Sequence, residues 1–264
     1  MITNAEFLKG LAIHATNGEI GTVDEFYFDD ETWTIRYLVV ETGGWLLGRK
    51  VLISPISIVN VDWKKFRVDV ALTKKHVEHS PDIYTHRPVS RQHEADYSAY
   101  YGYNCYWGGP YMWGPGFYPA DLSKKTLIEA VKERVRTESN DSHLRSSEAV
   151  TGYHVEVTDG EIGHVSGYLV DDELWAIRYL EVATRNWLPG KEVLVSPQWI
   201  VRVSWAESKV FAFLSREAIK SAPEYLMSRR LTREYESDLY AHYGRPPYWL
   251  HEAEHRASSS LSRV

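Results

Sequence analysis

The amino-acid sequence is a duplication: stretches of the first half return, in order, in the second half. Each residue of the first copy has its counterpart 142 positions later, and the alignment needs no gap. The clearest matches are Gly18-Glu19-Ile20-Gly21 with Gly160-Glu161-Ile162-Gly163, Ile35-Arg36-Tyr37-Leu38 with Ile177-Arg178-Tyr179-Leu180, and Tyr106-Trp107 with Tyr248-Trp249. A chain of 264 residues built in this way is expected to fold as two similar units.

Turn residues and β-forming segments predict that each copy is mainly β. Asn17-Gly18, and Asp159-Gly160 in the second copy, are pairs that favour a tight hairpin turn. Segments rich in β-branched and aromatic residues follow, with a bulge expected near Asp24. In the first copy they predict strands over 10–16, 20–28, 33–41, 50–54, 58–63 and 66–72. The predicted fold class is mainly β with short helices: two tandem small six-stranded β-barrels plus a connecting amphipathic helix.

The alternation of side chains predicts which faces of the strands are buried. In the strand over 33–41 we expect Leu38 to be buried and the opposite face, Val39 in one copy and Glu181 in the other, to be wet at its end. In the strand over 58–63 every second residue from Val59 onwards is apolar in both copies. The side chains at these alternate positions are therefore predicted to face the core.

Eight residues mark the repeat structurally: Gly18, Gly21, Arg36, Pro55, Gly160, Gly163, Arg178 and Pro197. The prolines interrupt the ladder between two strands because they have no N–H group. The two arginines lie among strand residues, where a charge has to be paired. Two interpretations stay open for them, a structural ion pair with a carboxylate and a ligand anchor, and the first is favoured. Thr73, or Ser215 in the second copy, is a good N-cap for a short helix.

Aromatic residues are concentrated in the segment 97–119, where glycine and proline are also dense enough to disfavour a regular helix or central strand. One interpretation is an arm that docks on a partner, and the other is a linker that lies along its own protein. A shorter aromatic segment, 243–249, suggests that each copy has such an arm. The candidate interaction residues are Trp45, Tyr106, Trp107, Tyr111, Trp113, Trp187, Tyr248 and Trp249.

An amphipathic helix is predicted over 121–138, because Leu127, Ile128, Val131 and Val135 recur at helical spacing. It is either a partner-binding or dimerisation helix, or a connector that lies on the second unit. The predicted division of the chain is a first barrel with a terminal helix (1–84), an aromatic arm (85–120), a connecting helix and linker (121–148), a second barrel (149–228), and a C-terminal arm with a frayed tail (229–264).

Composition narrows the class of protein. The net charge of -6 gives no basic footprint for a polynucleotide, so no nucleic acid is expected as a partner. The single cysteine, Cys105, excludes an intramolecular disulfide and favours a reducing compartment. No secretory signal and no apolar stretch of membrane-spanning length is recognised. We therefore expect a cytoplasmic protein with no integral membrane segment, for which peripheral membrane association stays open.

No catalytic constellation is recognised, and we expect neither an enzyme nor a cofactor. Four histidines are close in sequence, His76, His79, His86 and His93, but no cysteine or ordered carboxylate set completes a metal site, so none is predicted. The acidic turn over 29–31 could attract a divalent cation, and an ordinary β-turn explains it as well. Cys105 has no histidine whose spacing establishes a nucleophilic pair.

The combined motifs resemble the PRC-barrel family. They are Asn/Asp-Gly-Glu-Ile-Gly-x-Val, then Asp-Asp-Glu, Ile-Arg-Tyr-Leu-x-Val and Val-Leu-x-Ser-Pro, which occur in both copies, within 7–84 and 149–226. That family is named for the cytoplasmic domain of the photosynthetic reaction centre H subunit and is shared with a ribosome-maturation factor. The resemblance implies a six-stranded β-barrel that is used as an adaptor surface.

The sequence and the resemblance together favour a non-enzymatic binding or scaffolding protein. It is expected to present aromatic arms to a protein partner and to self-associate, as a homodimer. The first alternative is an accessory subunit for a membrane electron-transport or photosynthetic complex, and the second is an RNA-processing or ribosome-associated adaptor. An enzyme would need a pocket with convergent carboxylates or histidines.

Overall fold

The computed structural model describes residues 1–81, 89–107, 109, 111–123, 143–184, 192–225, 231–250 and 252–253. The chain divides into two compact units. The first unit comprises Glu6–Glu148 together with Glu173–Ala176. The second unit comprises Met1–Ala5, Ala149–Asp172 and Ile177–Val264.

Most of the regular structure in the described residues is β-sheet, which confirms the predicted class. The strands are β1 Ile2–Asn4, β2 Ala12–Ala15, β3 Gly18–Asp29, β4 Thr34–Glu41, β5 Lys50–Ile53, β6 Ile58–Asp62, β7 Arg67–Val70, β8 Leu144–Ser146, β9 His154–Val157, β10 Gly160–Asp171, β11 Ala176–Ala183, β12 Glu192–Val195, β13 Ile200–Ser204 and β14 Lys209–Ala212.

The helices are short. The α-helices among the described residues are α1 Lys74–Glu78, α2 Arg91–Tyr101, α3 Ser147–Val150, α4 Arg216–Lys220 and α5 Arg233–His242. Single 3₁₀ turns span Ala5–Phe7, Gly43–Leu46, Pro55–Ser57, Pro119–Ser123 and Pro197–Trp199. None of the helices in the part of the chain that the structure describes is long and apolar enough to cross a membrane.

In the first unit six strands follow the order β6-β7-β2-β3-β4-β5, with β8 added to β3. All pairs are antiparallel except β2 with β7. The predicted barrel is not closed by hydrogen bonds, since β5 and β6 are the two ends of this order. The physical reason lies in the connection between them: Pro55, which has no N–H group to donate, starts the 3₁₀ turn that separates the two strands.

The second unit repeats these pairings with β9 to β14 in place of β2 to β7. The parallel pair His154 with Lys209 lies 142 residues after the parallel pair Ala12 with Arg67. The seventh strand comes from the other half of the sequence in both units. β1 pairs with β10 in the second unit, and β8, which lies 142 residues after β1, pairs with β3 in the first.

The local predictions for the bulge and the helix caps are confirmed, whereas the hairpin turn is formed by Thr16 and Asn17, one residue earlier than the expected pair. A register shift between Val23 and Glu25 marks the bulge that was expected near Asp24. Thr73 Oγ1 accepts a hydrogen bond from the backbone N–H of His76, and Ser215 caps α4 in the equivalent way. These features depend on neighbouring residues only, which explains why a sequence pattern is enough to find them.

Two burial predictions are wrong. Val39 and Glu181, expected on a wet face, are 0% and 1% exposed, because β4 and β11 are covered on both sides. Val59 and Val201, expected in the core, are 70% and 68% exposed. Each valine lies at a register shift of its edge strand, between Ile58 and Asn60 in the first unit, so the extra residue turns outwards.

The helix α2 lies where an aromatic arm was predicted, and its last residues belong to the segment in which a helix was thought unfavourable. Ser90 caps the helix through the backbone N–H of His93, and Gly102 ends it at φ +69°. The predicted helix over 121–138 begins inside the turn Pro119–Ser123, and its remainder lies outside the described residues.

Candidate functional site

A buried cluster of charged and aromatic side chains joins α2 to the aromatic segment in the first unit. Glu94 on α2 is 2% exposed and accepts a hydrogen bond from Tyr106 Oη. Arg91, one turn earlier, donates from Nη1 to Glu94 Oε2 at 3.2 Å and to Tyr106 Oη at 2.9 Å. The carboxylate, the guanidinium and the phenol therefore satisfy one another away from water.

Arg36 on β4 also belongs to this cluster, where it lies against the ring of Tyr106. Its Nη2 donates to Thr32 Oγ1 at 2.9 Å and to Asp29 Oδ2 at 3.3 Å. Its guanidinium carbon lies 3.7 Å from the ring centre of Tyr106 and 4.8 Å from that of Trp113. The structural ion pair favoured from the sequence is present, and stacking on two rings compensates part of the cost of burying the charge.

Trp113 is fully buried and fixes the aromatic segment to its own unit. Its indole Nε1 donates to the backbone carbonyl of Leu174 at 2.9 Å. Two bridges, Tyr111 with Gly114 and Trp113 with Gly116, fold the segment into a compact turn. Trp113 therefore anchors the aromatic segment in the interior of the unit.

Burial controls the titration of the cluster. Desolvation raises the pKa of Glu94 to about 7, against the opposing attraction of Arg91 and the hydrogen bond from Tyr106. Desolvation also raises the pKa of Cys105 to about 11, so this thiol is protonated at neutral pH. A thiol in that state is a poor nucleophile.

The second unit contains the same cluster at the equivalent positions. Tyr179 and Tyr248 donate from Oη to Glu236 Oε1 at 2.9 and 3.0 Å, and Arg233 lies 3.1 Å from Glu236 Oε2. The guanidinium of Arg178 lies 4.1 Å from the ring centre of Tyr248. It is paired with Asp171 at 2.6 Å and with Glu252 at 2.5 Å. Desolvation raises the pKa of Glu236 as it does that of Glu94.

Of the seven candidate interaction residues that the structure describes, three are buried and four are half-buried. The prediction that they are offered to a partner is corrected for the three buried rings. Tyr106, Trp113 and Tyr248 are buried. Trp107 and Trp249 are half-buried under the guanidinium groups of Arg91 and Arg233, at 4.7 and 4.1 Å. Tyr111 is half-buried in the turn described above. The physical reason is that these rings cover the buried arginines and carboxylates and exclude water from them.

Trp45 is half-buried at the end of the 3₁₀ turn Gly43–Leu46. Its Nε1 donates to the carbonyl of Ile20, and Lys74 Nζ lies 4.3 Å from its ring centre. It therefore holds its loop against β3. Trp187, its counterpart, lies outside the described residues.

The glycines and prolines that mark the repeat have structural roles. A Cβ at Gly21 or at Gly163 would lie 2.0 Å from a backbone carbonyl oxygen, that of Glu41 or of Ala183. Gly18 and Gly160 turn their hairpins at φ +134° and +132°. Pro55 and Pro197 each begin a 3₁₀ turn.

The histidines form no metal site among the described residues, where no group of three potential ligands comes together. His76 and His79 are exposed, and His79 Nδ1 lies 2.9 Å from the carbonyl of Lys75. His93 is half-buried on α2, where desolvation lowers its pKa. His86 lies outside the described residues.

The acidic turn over 29–31 satisfies its own carboxylate. Asp29 Oδ1 accepts hydrogen bonds from the backbone N–H groups of Glu31 and Thr32 at 2.9 and 3.1 Å. Its other oxygen binds Arg36. The turn interpretation of this motif is the one that the contacts support.

Sequence reasoning missed Glu94 and Glu236, the residues at the centre of the two clusters. The signal was present, because Arg91 and Glu94 return 142 residues later as Arg233 and Glu236. These repeats lie in segments whose glycine, proline and aromatic content indicated an irregular arm. The repeat of an i, i+3 charge pair after a Ser or Thr cap is the pattern that predicts the helix.

The comparison with known protein families agrees with the strand arrangement of the first unit. Residues 6–73, which hold β2 to β7 of the first unit, match the family described as PRC-barrel domain. No curated protein matches the chain, so the roles near a photosynthetic complex or a ribosome stay predictions. The resemblance recognised in the first copy is thereby confirmed, and the chain contains a PRC-barrel domain at residues 6–73.

Proposed function

We propose that this protein is a non-enzymatic scaffold built from two PRC-barrel units that associates with itself and with a protein partner. The PRC-barrel domain at residues 6–73 suggests a binding or scaffold type of domain. The proposal extends this assignment to the second unit, whose strands β9 to β14 pair in the register of β2 to β7. In this proposal the buried clusters stabilise the fold and catalyse no reaction.

The observation that carries the proposal is the contrast between the inside and the outside of the two copies. Inside, both copies keep the arginine, glutamate and tyrosine of the buried cluster. Outside, equivalent positions differ in charge and polarity: Asp69 on β7 corresponds to Phe211 on β14, and Ala71 corresponds to Phe213. Constant interiors with different outer faces are expected of a module that holds different neighbours on the same framework.

Sedimentation velocity of the full chain tests self-association. We expect the weight-average mass to rise as the concentration increases from about 1 to about 200 µM, because association follows mass action. The variant Glu94→Gln, which keeps the shape of a buried side chain, should associate as the parent does. A constant monomer mass over the whole range would refute the self-association.

A further inference from the structure

The outer face of the second unit carries a group of apolar and cationic side chains of which only Val201 has a like residue, Val59, in the first unit. We call it the Arg-Phe patch: Val201, Arg202, Phe211, Phe213 and Arg245. Val201 and Phe213 are 68% and 62% exposed. Phe211 lies opposite Arg202 in the β13–β14 pair, and Phe213 N–H donates to the carbonyl of Trp199, two residues before Val201. The backbone pairing therefore brings the residues of these two segments close together.

The two arginines lie on the two phenylalanines. The guanidinium carbon of Arg202 is 3.7 Å from the ring centre of Phe211, and that of Arg245 is 5.5 Å from the ring centre of Phe213. Arg245 also donates from Nη2 to the carbonyl of Phe213 at 3.3 Å. A guanidinium that stacks on a ring keeps N–H groups at its edge, which can bind a carboxylate from outside.

The charge of the patch is positive. Arg245 makes no ion pair within the described ranges. Arg202 is paired with Glu207 at 3.1 Å, but both side chains are about half exposed, so water and salt screen this pair and a competing carboxylate can replace it. At the margin Lys209 and Glu156 neutralise each other at 2.5 Å.

The internal comparison shows that this chemistry is specific to one copy. The strand positions that hold Arg202, Phe211 and Phe213 are occupied in the first unit by Asn60, Asp69 and Ala71. The counterpart of Arg245 is Tyr103, which belongs to the aromatic packing of the first unit. Four positions have thus diverged together on a framework that the two units share. The packing of Tyr103 explains the difference at that position, and a binding requirement on one face accounts for the other three, whose side chains are exposed or half-buried in both units.

We propose that the Arg-Phe patch binds an acidic peptide segment of a protein partner, one that presents carboxylates together with apolar side chains. This inference rests on the proposed function and names the surface and the partner chemistry. The two guanidinium groups complement the carboxylates, and Val201 and Phe213 cover the apolar side chains. A polynucleotide fits less well, because a phosphate backbone needs a run of cationic side chains and leaves Val201 and Phe213 uncovered, whereas the apolar side chains of a peptide can pack on these two residues.

Fluorescence anisotropy tests the proposal on the full chain. The probe is a fluorescein-labelled peptide of about twelve residues in which every second residue is serine and the residues between them are glutamate and leucine in turn. Since alternate side chains of an extended peptide point to one side, its carboxylates and its leucine side chains then face the patch together. A peptide with lysine in place of glutamate and an oligouridylate of about twelve nucleotides are the competing probes. We expect the acidic peptide to bind best, with an affinity that falls as salt is added.

The matched variants exchange the residues of the two copies. Arg202→Asn, Phe211→Asp and Phe213→Ala, combined in one protein, give the second unit the side chains that the first unit already tolerates at these positions. We expect this variant to lose about tenfold in affinity for the acidic peptide. The reciprocal protein, Asn60→Arg with Asp69→Phe and Ala71→Phe, should gain a second site. Arg245→Gln alone should weaken binding about threefold, which keeps the test valid if the combined variant folds poorly.

Three results would overturn the proposal: equal affinity for the acidic and the lysine peptide, tighter binding of the oligouridylate, or unchanged binding by both loss variants. The sedimentation experiment distinguishes a failure of the patch proposal from a failure of the proposed function. If the patch variant still self-associates but no longer binds the peptide, the patch is assigned and the scaffold stands. If the parent stays monomeric but binds the peptide, only the self-association is refuted.

Discussion

The buried carboxyl group of Glu94 makes the stability of the first unit depend on pH. Its pKa is raised to about 7 by desolvation, compared with an ordinary value of 4.5. The folded state therefore binds this proton more tightly than the unfolded state does. The contribution is fully present below about pH 4.5 and is lost as the pH rises to about 7, and the difference corresponds to about 3 kcal/mol of unfolding free energy.

The variant Glu94→Gln removes the titration and keeps the shape. Its amide oxygen can still accept the hydrogen bond from Tyr106, while no charge has to be buried at high pH. We expect the parent to lose about 3 kcal/mol more than the variant when the pH is raised from about 4.5 to about 8. The unfolding free energy of the variant is thus expected to depend less on pH than that of the parent.

Urea denaturation followed by tryptophan fluorescence at both pH values measures this difference. Glu41→Gln, at the exposed end of β4, is the matched control and should behave as the parent does. A carbon-detected NMR titration of the Glu94 carboxyl group gives the pKa directly. The same loss with pH in Glu94→Gln and in the parent would contradict the reasoning, and so would a carboxyl group that titrates near 4.5.

Three further substitutions test the packing. Gly163→Ala should destabilise the second unit by about 2 kcal/mol or more, because its Cβ would lie 2.0 Å from a carbonyl oxygen and the backbone has φ +151°. The control Gly44→Ala, which has open space around the new Cβ, should change stability by less than about 0.5 kcal/mol. Thermal denaturation of the pair distinguishes strain from a general effect of alanine. Trp113→Phe should cost about 2 kcal/mol through the lost hydrogen bond to Leu174 and the space left by the indole. Thr73→Ala should cost about 1 kcal/mol by uncapping α1, and an unchanged melting temperature in either variant would refute the role assigned to its side chain.

The duplicated sequence was sufficient to predict the six strands of the repeat, because their formation follows local rules, but it did not predict β1 and β8, which pair with strands far away in the chain. The hairpin at Gly18, the bulge near Asp24 and the cap at Thr73 each depend on a few consecutive residues. The second copy then supported the same strands, since the two copies differ in many residues but keep the same pattern of turn and strand-forming residues. The comparison of copies was less reliable for burial, as Val59 and Val201 show: both copies preserve an apolar residue that a bulge turns towards solvent.

The buried cluster could not be assembled from the sequence in the same way. Arg36 and Glu94 are far apart along the chain, and their meeting depends on how α2 packs on β4, which no periodicity encodes. The aromatic segment was misjudged because glycine and proline indicate irregular backbone and say nothing about burial. Trp113 shows the difference: its backbone lies in a turn, yet its side chain is fully buried.

The seventh strand of each unit also affects how the protein is made. The first unit includes β8 and the short segment Glu173–Ala176, so it cannot be completed until more than half of the chain has left the ribosome. The second unit takes up β1, which cannot pair until its distant partner β10 has been synthesised. Until then the backbone groups of β1 are unpaired with β10, so this segment is available to a chaperone that binds unpaired strands.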